Sequence, residues 1–193
     1  MTDQPDLTLY HSANTRSSGT MMLLEEIGAP YSLQVLDMQA GEQRQPAYLA
    51  VNPMGKVPAL RHGDAVVTEQ VAIMLYLADL FPAAKLAPPL GDPLRGPYLR
   101  WMVYYAACFE PAVTDTAFKR EPAPVGMSPY GDLATVLRTV PARLSPGPWF
   151  LGVEFSAADV LWGSALAWTT GFVTAQVDDG ERLPDQHKAR HDR

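Results

Sequence analysis

The chain is poor in cysteine: Cys108 is the only one among its 193 residues. A disulfide within the chain is therefore impossible, and no CxxC redox pair exists. A secretory signal is also lacking, since residues 1–6 are polar. The longest apolar helical stretch, residues 71–81, is too short to span a bilayer. These absences favour a cytoplasmic protein without a membrane partner.

Positive charge is scarce as well. Lys and Arg total 15 against 21 Asp and Glu, which gives a net charge of -6 that no basic cluster offsets. This balance argues against nucleic-acid binding. His11 and His62 have no partners at metal-ligand spacing, so we expect no metal. Hydrophobic residues make up 47% of the chain, which indicates a folded globular protein.

The first 80 residues alternate between strand and helix patterns. Strands are predicted at residues 7–11, 31–36, 57–61 and 65–68, and helices at 17–27, 46–51 and 69–80. Gly28 is expected to close the first of these helices. The order is βαβ followed by ββα, which predicts a mixed four-stranded sheet with helices packed on it.

Prolines accumulate between residues 81 and 97, and the pattern after them is helical. We predict a first domain at 1–81, a linker at 82–97 and an all-helical domain at 98–193. Its helices are expected at 98–109, at 132–144 (bent or ended by Pro141), and after a capping box formed by Ser156 and Asp159. Phe155 and Val160 are expected to form a hydrophobic staple beside that box. The polar tail, 178–193, is expected to fray or be disordered.

Residues 52–60 read Asn-Pro-Met-Gly-Lys-Val-Pro-Ala-Leu, and Thr68-Glu69-Gln70 follows eight residues later. Val57 precedes a proline, which favours an extended backbone whose N–H and C=O can pair with a guest peptide. Glu69 and Gln70 lie at a predicted helix start, where backbone N–H groups attract a carboxylate, and Glu69 can hold an ammonium group. Together the two segments predict a pocket for a small charged peptide.

The chain resembles bacterial glutathione transferases. The segments that carry the resemblance are Leu9 to Ser12 with Leu23 to Tyr31, the 52–60 motif, Thr68-Glu69-Gln70 with the following Ala72-Ile73 and Tyr76-Leu77, and Phe155 to Val160. The resemblance implies a thioredoxin-like N-terminal domain, a helical C-terminal domain and a homodimer. It also implies glutathione as a co-substrate, a small hydrophobic electrophile, and no bound cofactor.

Site residues carry over by position within this resemblance. Val57 should pair with the cysteinyl backbone of glutathione, and the bond before Pro58 should be cis. Glu69 and the Gln70 backbone should hold the γ-glutamyl end. Lys56 and Gln43 fall where relatives contact the glycyl carboxylate or nearby backbone. Many relatives have serine where this chain has Gln70, so the hydroxyl contact is lost while the backbone contact is kept.

The group that activates the thiol is less clearly marked. Tyr10 falls where tyrosine-type relatives keep their catalytic tyrosine, and Asn14 where serine-type relatives keep serine. Arg16 falls where cysteine-type relatives keep cysteine, so the cysteine mechanism is absent. We expect Asn14 and Ser12 to act as thiolate donors with electrostatic help from Arg16.

The electrophile pocket is expected to be lined by Trp101, Tyr104 and Tyr105, although helical spacing is equally compatible with a core position for these side chains. The expected activity is conjugation of the glutathione thiolate to small electrophiles. Two alternatives stay open. One is a non-catalytic carrier of glutathione or apolar ligands on the same scaffold, and the other is glutathione-dependent reduction of peroxides or disulfides.

Overall fold

The first part of the chain is built around the strand β1 (Leu7–His11). In the computed structural model, which describes residues 6–178 and side chains up to residue 170, β1 pairs in parallel with β2 (Ser32–Val35). It pairs antiparallel with β3 (Ala59–His62), which in turn pairs antiparallel with β4 (Ala65–Thr68). The strand order is β2-β1-β3-β4, so the predicted mixed four-stranded sheet is confirmed. The fraying predicted for the tail falls on 179–193, outside the described residues.

Alternation along β1 separates two apolar clusters. Leu7 and Leu9 are buried in the main core with side chains of α1 (Ser17–Ile27) and α3 (Gln70–Leu80). Tyr10 belongs to the smaller cluster, where it packs on Tyr48 of α2 (Pro46–Leu49) with the ring centroids 5.6 Å apart. Because successive side chains of a strand point to opposite faces, the two sets cannot meet.

Helix α1 has the predicted bounds. It ends at Gly28, whose φ of 69° is in the left-handed region that glycine adopts without strain. The Gly28 N–H donates to the carbonyls of Leu24 and Glu25, which satisfies acceptors at the end of the helix. The prediction for this helix is therefore confirmed.

The predicted linker, residues 82–97, is more ordered than its proline content indicates. A short 3₁₀ turn occupies Pro82–Ala84, and Leu86 is 5% exposed within the main core. Helix α4 (Arg95–Tyr104) begins before the predicted start, because Pro97 lies in its first turn, where a missing N–H is tolerated. The Arg95 guanidinium also binds the carboxylate of Asp79 through two contacts of 2.7 Å. The main core includes residues on both sides of this segment, so the two-domain division stays a prediction.

The helix predicted at 98–109 continues beyond its expected end. A π-helical turn, Tyr105–Phe109, joins α4 to α5 (Glu110–Ala117). Pro111 cannot donate the backbone hydrogen bond that an α-helix requires, and its ring crowds the carbonyl one turn earlier. A wider turn relieves both conflicts and leads directly to Glu110.

Helix α6 (Leu133–Leu144) begins after Asp132, whose side chain accepts a 2.7 Å bond from the Thr135 N–H. Pro141 lies inside the helix and does not end it, contrary to one of the two expectations. The last helix, α7 (Ala157–Asp178), carries the fully buried Trp162. Its ring packs against an aromatic cluster that includes Trp101, Phe109 and Phe150.

The start of α7 is fixed by Asp159. Its carboxylate accepts bonds from the Ser156 N–H (2.9 Å), the Ser156 hydroxyl (2.9 Å) and the Phe150 N–H (2.7 Å), all buried. The predicted capping box is therefore present in its acidic half. The Ser156 hydroxyl donates to the carboxylate instead of accepting from the helix. Phe155 packs edge-on against Trp149 at 4.9 Å.

Replacing Asp159 tests whether this buried cap holds the helical part together. Asp159→Ala leaves two buried N–H groups without an acceptor, and we expect a loss of about 2–4 kcal/mol in the free energy of unfolding. Asp132→Ala removes an exposed cap of the same chemistry and should cost about 1 kcal/mol. Urea denaturation at neutral pH compares the two, and equal losses would contradict the role assigned to Asp159.

Candidate active site

An open cleft of about 450 Å³ brings the predicted peptide-binding motif opposite the helical part of the chain. One wall consists of Asn52, Met54, Lys56, Val57, Pro58, Glu69, Gln70 and Val71. The other consists of Tyr105, Ala106, Glu110, Pro111, Thr114, Asp115 and Arg120, and Arg16 also lines the cleft. Both walls carry charges of both signs, which suits a ligand that has both an ammonium group and carboxylates.

Val57 presents an unpaired backbone to this cleft. The Val57–Pro58 bond is cis, and among the described residues the Val57 N–H and C=O make no hydrogen bond. The carbonyl just before it, that of Lys56, is held by the Tyr48 hydroxyl at 2.5 Å and by the Asn52 amide at 2.8 Å. These two buried side chains therefore fix the loop that carries Val57. Asn52 belongs to the sequence motif, but nothing in the sequence signalled the part played by Tyr48.

Glu69 and Gln70 occupy the start of α3. Glu69 has φ 67° and ψ 118°, an unusual backbone conformation for a glutamate. Strained conformations of this kind cluster at ligand-binding sites. The exposed Glu69 carboxylate has no hydrogen-bond or ion-pair partner within the described part of the chain. It is therefore available to a cationic group beside the first N–H groups of the helix.

Two residues were expected to contact the glycyl end. Lys56 is exposed at the edge of the cleft, as that role requires. Gln43 does not line the cleft: its amide lies 3.4 Å from the Met38 carbonyl, because the 3₁₀ turn Glu42–Arg44 directs the side chain back toward its own loop. We therefore omit Gln43 from the site.

The four candidates for thiol activation are not together. Arg16 lines the cleft, and Asn14 lines an adjoining pocket with a left-handed φ of 58° that asparagine tolerates. Ser12 is buried within its loop and lines neither space. Tyr10 points to the face of the sheet opposite Leu7 and Leu9, where it lines a separate hollow with Tyr48. It therefore lines neither the cleft nor the adjoining pocket.

The adjoining pocket has a volume of about 240 Å³. Apolar side chains (Met22, Ala165, Ala167 and Trp168) line it together with the polar residues Asn14, Thr15, Ser18 and Ser164. It shares Arg16, Gln70, Tyr105 and Glu110 with the cleft, so the two spaces are neighbours.

Of the three aromatic residues predicted to line an electrophile pocket, Tyr105 lines both spaces. Trp101 is 2% exposed and packs in the aromatic cluster against Phe150 and Trp162. Tyr104 stacks on Trp162 with the ring centroids 6.2 Å apart. Both therefore belong to the core, because the side of α4 that carries them faces α7 and the 149–151 segment. Trp168, which the sequence analysis did not select, lines the pocket instead.

Space is limited at Gly19, where α1, α3 and α7 meet. A Cβ at Gly19 would lie 2.6 Å from the Gln70 Nε2 atom and 2.7 Å from the Ser164 hydroxyl. Only glycine fits this position without displacing those side chains, which form the floor of the pocket. Nothing in the pattern of the α1 sequence marked this glycine.

The Ser17 hydroxyl organises the loop that carries the thiol-activation candidates. It lies 2.7 Å from His11 Nδ1 and 2.6 Å from the Thr15 hydroxyl, and it accepts from the Ser12 N–H at 3.1 Å. Ser17 is fully buried, and His11 is 7% exposed. Burial lowers the pKa of His11, and hydrogen bonding at Ser17 partly opposes that shift. The neutral imidazole therefore serves as a structural partner of Ser17.

Within the described residues, no cluster of three or more His, Cys, Asp or Glu side chains is suited to hold a metal ion. None of the described helices is long and apolar enough to cross a membrane.

The fold and the cleft define a protein in which a thioredoxin-like four-stranded sheet is joined to a helical region, with the Val57 backbone facing the cleft between them. A family model for the glutathione S-transferase N-terminal domain matches residues 5–79. A glutathione S-transferase of Arabidopsis thaliana is 31% identical over 165 residues, covering 80% of this chain and 76% of the relative. GstA of Escherichia coli O157:H7 is 30% identical over 164 residues, covering 84% and 82%. The chain belongs to the glutathione S-transferase family.

Solved structures agree with this assignment. A glutathione transferase from Methylococcus capsulatus superposes with a TM-score of 0.71 at 29% identity, covering 92% of this chain and 94% of that one. A glutathione transferase homologue from Sulfitobacter, solved with bound glutathione, gives a TM-score of 0.67 at 29% identity and covers 86% and 84%. The predicted family and its thioredoxin-like fold are thus confirmed.

The Ser17 network can be tested through stability. Ser17→Ala leaves the Ser12 N–H and His11 Nδ1 without the hydroxyl they contact, while the Thr15 hydroxyl keeps its bond to the Ser12 carbonyl. We expect a loss of about 1–3 kcal/mol in the free energy of unfolding. Ser18→Ala is the matched control on the same turn. The Ser18 hydroxyl makes no hydrogen bond among the described residues, so its removal breaks none. Chemical denaturation should leave the control within about 0.5 kcal/mol of the parent. An equal effect in both variants would contradict the network.

Proposed function

We propose that the protein is a glutathione transferase that conjugates the glutathione thiolate to small electrophiles. Two neighbouring features carry this proposal: among the described residues, the Val57 backbone has no hydrogen-bond partner, and neither does the Glu69 carboxylate. An extended peptide can pair with Val57 as an added strand, while its ammonium group meets Glu69. A peptide carboxylate can then meet the first N–H groups of α3. A second carboxylate has Lys56 at the edge of the cleft.

Activation of the thiol is proposed for Arg16 and Asn14. A free thiol of pKa near 8.5 is only about 3% ionised at pH 7. Lowering that pKa by two units requires about 2.7 kcal/mol in favour of the thiolate. A guanidinium, an amide donor and the N-terminal end of α1 each favour the charged form. Arg16 and Asn14 stand at that end, next to the pocket.

The electrophile is proposed to occupy the pocket lined by Met22, Tyr105 and Trp168. The thiolate sulfur attacks an electrophilic carbon, and a carbon–sulfur bond forms as the bond to a halide breaks. The halide leaves with the electron pair, so no oxidant or reductant is needed. Holding both reactants in adjoining spaces supplies the rate advantage of proximity.

Glu69→Gln tests the glutathione site. Removal of the carboxylate costs one charged contact to the ammonium group, and we expect about tenfold weaker glutathione binding by calorimetry. Conjugation of an aryl halide should show a raised KM for glutathione. Glu26→Gln is the control, because Glu26 is an exposed acid on α1 that does not line the cleft. Saturable binding that is unchanged in Glu69→Gln would refute the placement of the γ-glutamyl end.

A non-catalytic carrier is the second candidate, because neither Tyr10 nor Ser12 lines the cleft or the pocket. Calorimetry paired with turnover separates the two functions. Saturable glutathione binding without conjugation above the rate of glutathione alone would favour the carrier. Reduction of disulfides through a protein thiol has less support, since Cys108 does not line the cleft and burial raises the pKa of its thiol.

A homodimer is also part of the proposal. Leu99 and Val103 lie one turn apart on α4 and are 37% and 53% exposed, which leaves an apolar strip on that helix. Light scattering should give twice the mass of the chain. Val103→Asp should weaken association at least tenfold, because it would bury an unpaired charge. A strict monomer at micromolar concentration would contradict the dimer.

A further inference from the structure

Arg16 stands at the junction of the cleft and the pocket. Its Nε–H donates to a carboxylate oxygen of Glu110, and its guanidinium carbon lies 5.9 Å from the ring centroid of Trp168. The Arg16 side chain is 51% exposed, whereas that of Glu110 is 18% exposed. The acid is therefore the more deeply held member of the pair. Glu110 therefore restrains Arg16 more than Arg16 restrains Glu110.

The contact uses only one edge of the guanidinium. Among the described residues, the ion pair with Glu110 engages Nε, and the Tyr105 hydroxyl lies close enough to the guanidinium to interact with it. A guanidinium has five N–H donors in a fixed plane, so fixing Nε also fixes the direction of the other four. Four oriented donors next to the expected position of a sulfur anion are suited to stabilise it.

The placement of Glu110 depends on the π-helical turn. Tyr105–Phe109 adds a wider turn before Pro111, and Glu110 is the first residue after it. Tyr105, at the start of the turn, lines both spaces beside the ion pair. Turns of this type often occur at functional sites because they redirect a side chain without ending the helix.

We propose that Glu110 is a positioning residue that holds Arg16 at the junction and thereby sets the ionisation of the glutathione thiol. The inference rests on the proposed function. Glu110 has two opposed effects. It orients the guanidinium through Nε, and its own negative charge offsets part of the attraction between Arg16 and a thiolate.

Other charged groups face the same space. Glu69 and Lys56 lie on the opposite wall of the cleft. Asp115 lies further along α5, and Arg120 follows the end of that helix. Tyr105 is a further titratable side chain that lines both spaces. Burial raises its pKa, the Glu110 charge adds to the shift and Arg16 opposes part of it, so Tyr105 stays protonated at the pH values at which a thiol titrates. Its ionisation therefore does not confuse a thiol titration.

The two effects can be separated by two variants of the same residue. Glu110→Gln keeps an oxygen that accepts from Nε and removes the charge, so the pKa of bound glutathione should fall by roughly half a unit. Glu110→Ala removes the charge and the anchor together, so the pKa should lie above that of Glu110→Gln. Arg16→Gln should raise it by about one unit. Glu26→Gln, far from the cleft, should leave it unchanged.

The thiol pKa is measured from the ultraviolet absorbance of the thiolate in the saturated complex across pH. Calorimetry gives the glutathione affinity, and denaturation gives the stability of each variant. Equal pKa values for Glu110→Gln and Glu110→Ala would overturn the positioning role and leave only a charge effect. A loss of stability without a shift in thiol pKa would reduce Glu110 to a structural residue and also overturn the proposal. If the parent protein shows no saturable binding of glutathione, the proposed function is overturned, and this inference with it.

Discussion

The buried hydroxyl of Ser17 is the contact on which the arrangement of the site depends. It joins the last residue of β1, His11, to the first turn of α1 through the loop between them. Because one hydroxyl satisfies several buried polar groups, the loop has one favourable conformation. That conformation includes the left-handed Asn14 and leads into Arg16 at the helix start. Any thiol chemistry at this end of α1 therefore depends on a hydroxyl, that of Ser17, which itself lines neither the cleft nor the pocket.

The site consists of two parts with different physical tasks. Under the proposed function, the sheet side binds the peptide by backbone pairing and by a helix N-terminus, and it needs few side chains to do so. The helical side contributes Glu110 to the cleft and most of the apolar lining of the adjoining pocket. Arg16 links them, since it begins on α1 and ends against Glu110 on α5. Under the proposed function, changes at Ala165, Ala167 or Trp168 of α7 would alter the electrophile pocket without touching the lining of the cleft.

Sequence reasoning predicted those parts of the structure that depend on local chemistry. The bounds of α1, the order of strands and helices along the first 80 residues and the start of α7 follow from apolar periodicity and from glycine, proline and capping positions that act within a few residues. Tyr10 could have been excluded by the same reasoning, because Leu7 and Leu9 already assign the core face of β1. Trp101 could not have been excluded from the pocket in this way. The spacing of aromatic residues shows that they share one face of a helix, but it does not show which element covers that face. Glu110 and Gly19 were missed because their roles come from contacts with elements distant in the sequence.

The ion pair between Arg16 and Glu110 illustrates why a cation that faces an anionic ligand is often paired with an acidic side chain of the protein. An unpaired guanidinium in a half-buried cleft would be solvated and mobile, and its rotamer freedom would oppose any fixed contact with a ligand. Pairing through Nε removes much of that freedom before the ligand arrives. The acid weakens the attraction to a thiolate while improving its geometry. A thiol that is converted to a thioether must first be ionised, yet the thiolate must stay nucleophilic. The two demands conflict, because nucleophilicity falls as the thiol pKa falls. Under the proposed function, a guanidinium whose charge is partly offset by Glu110 therefore suits conjugation better than an isolated one.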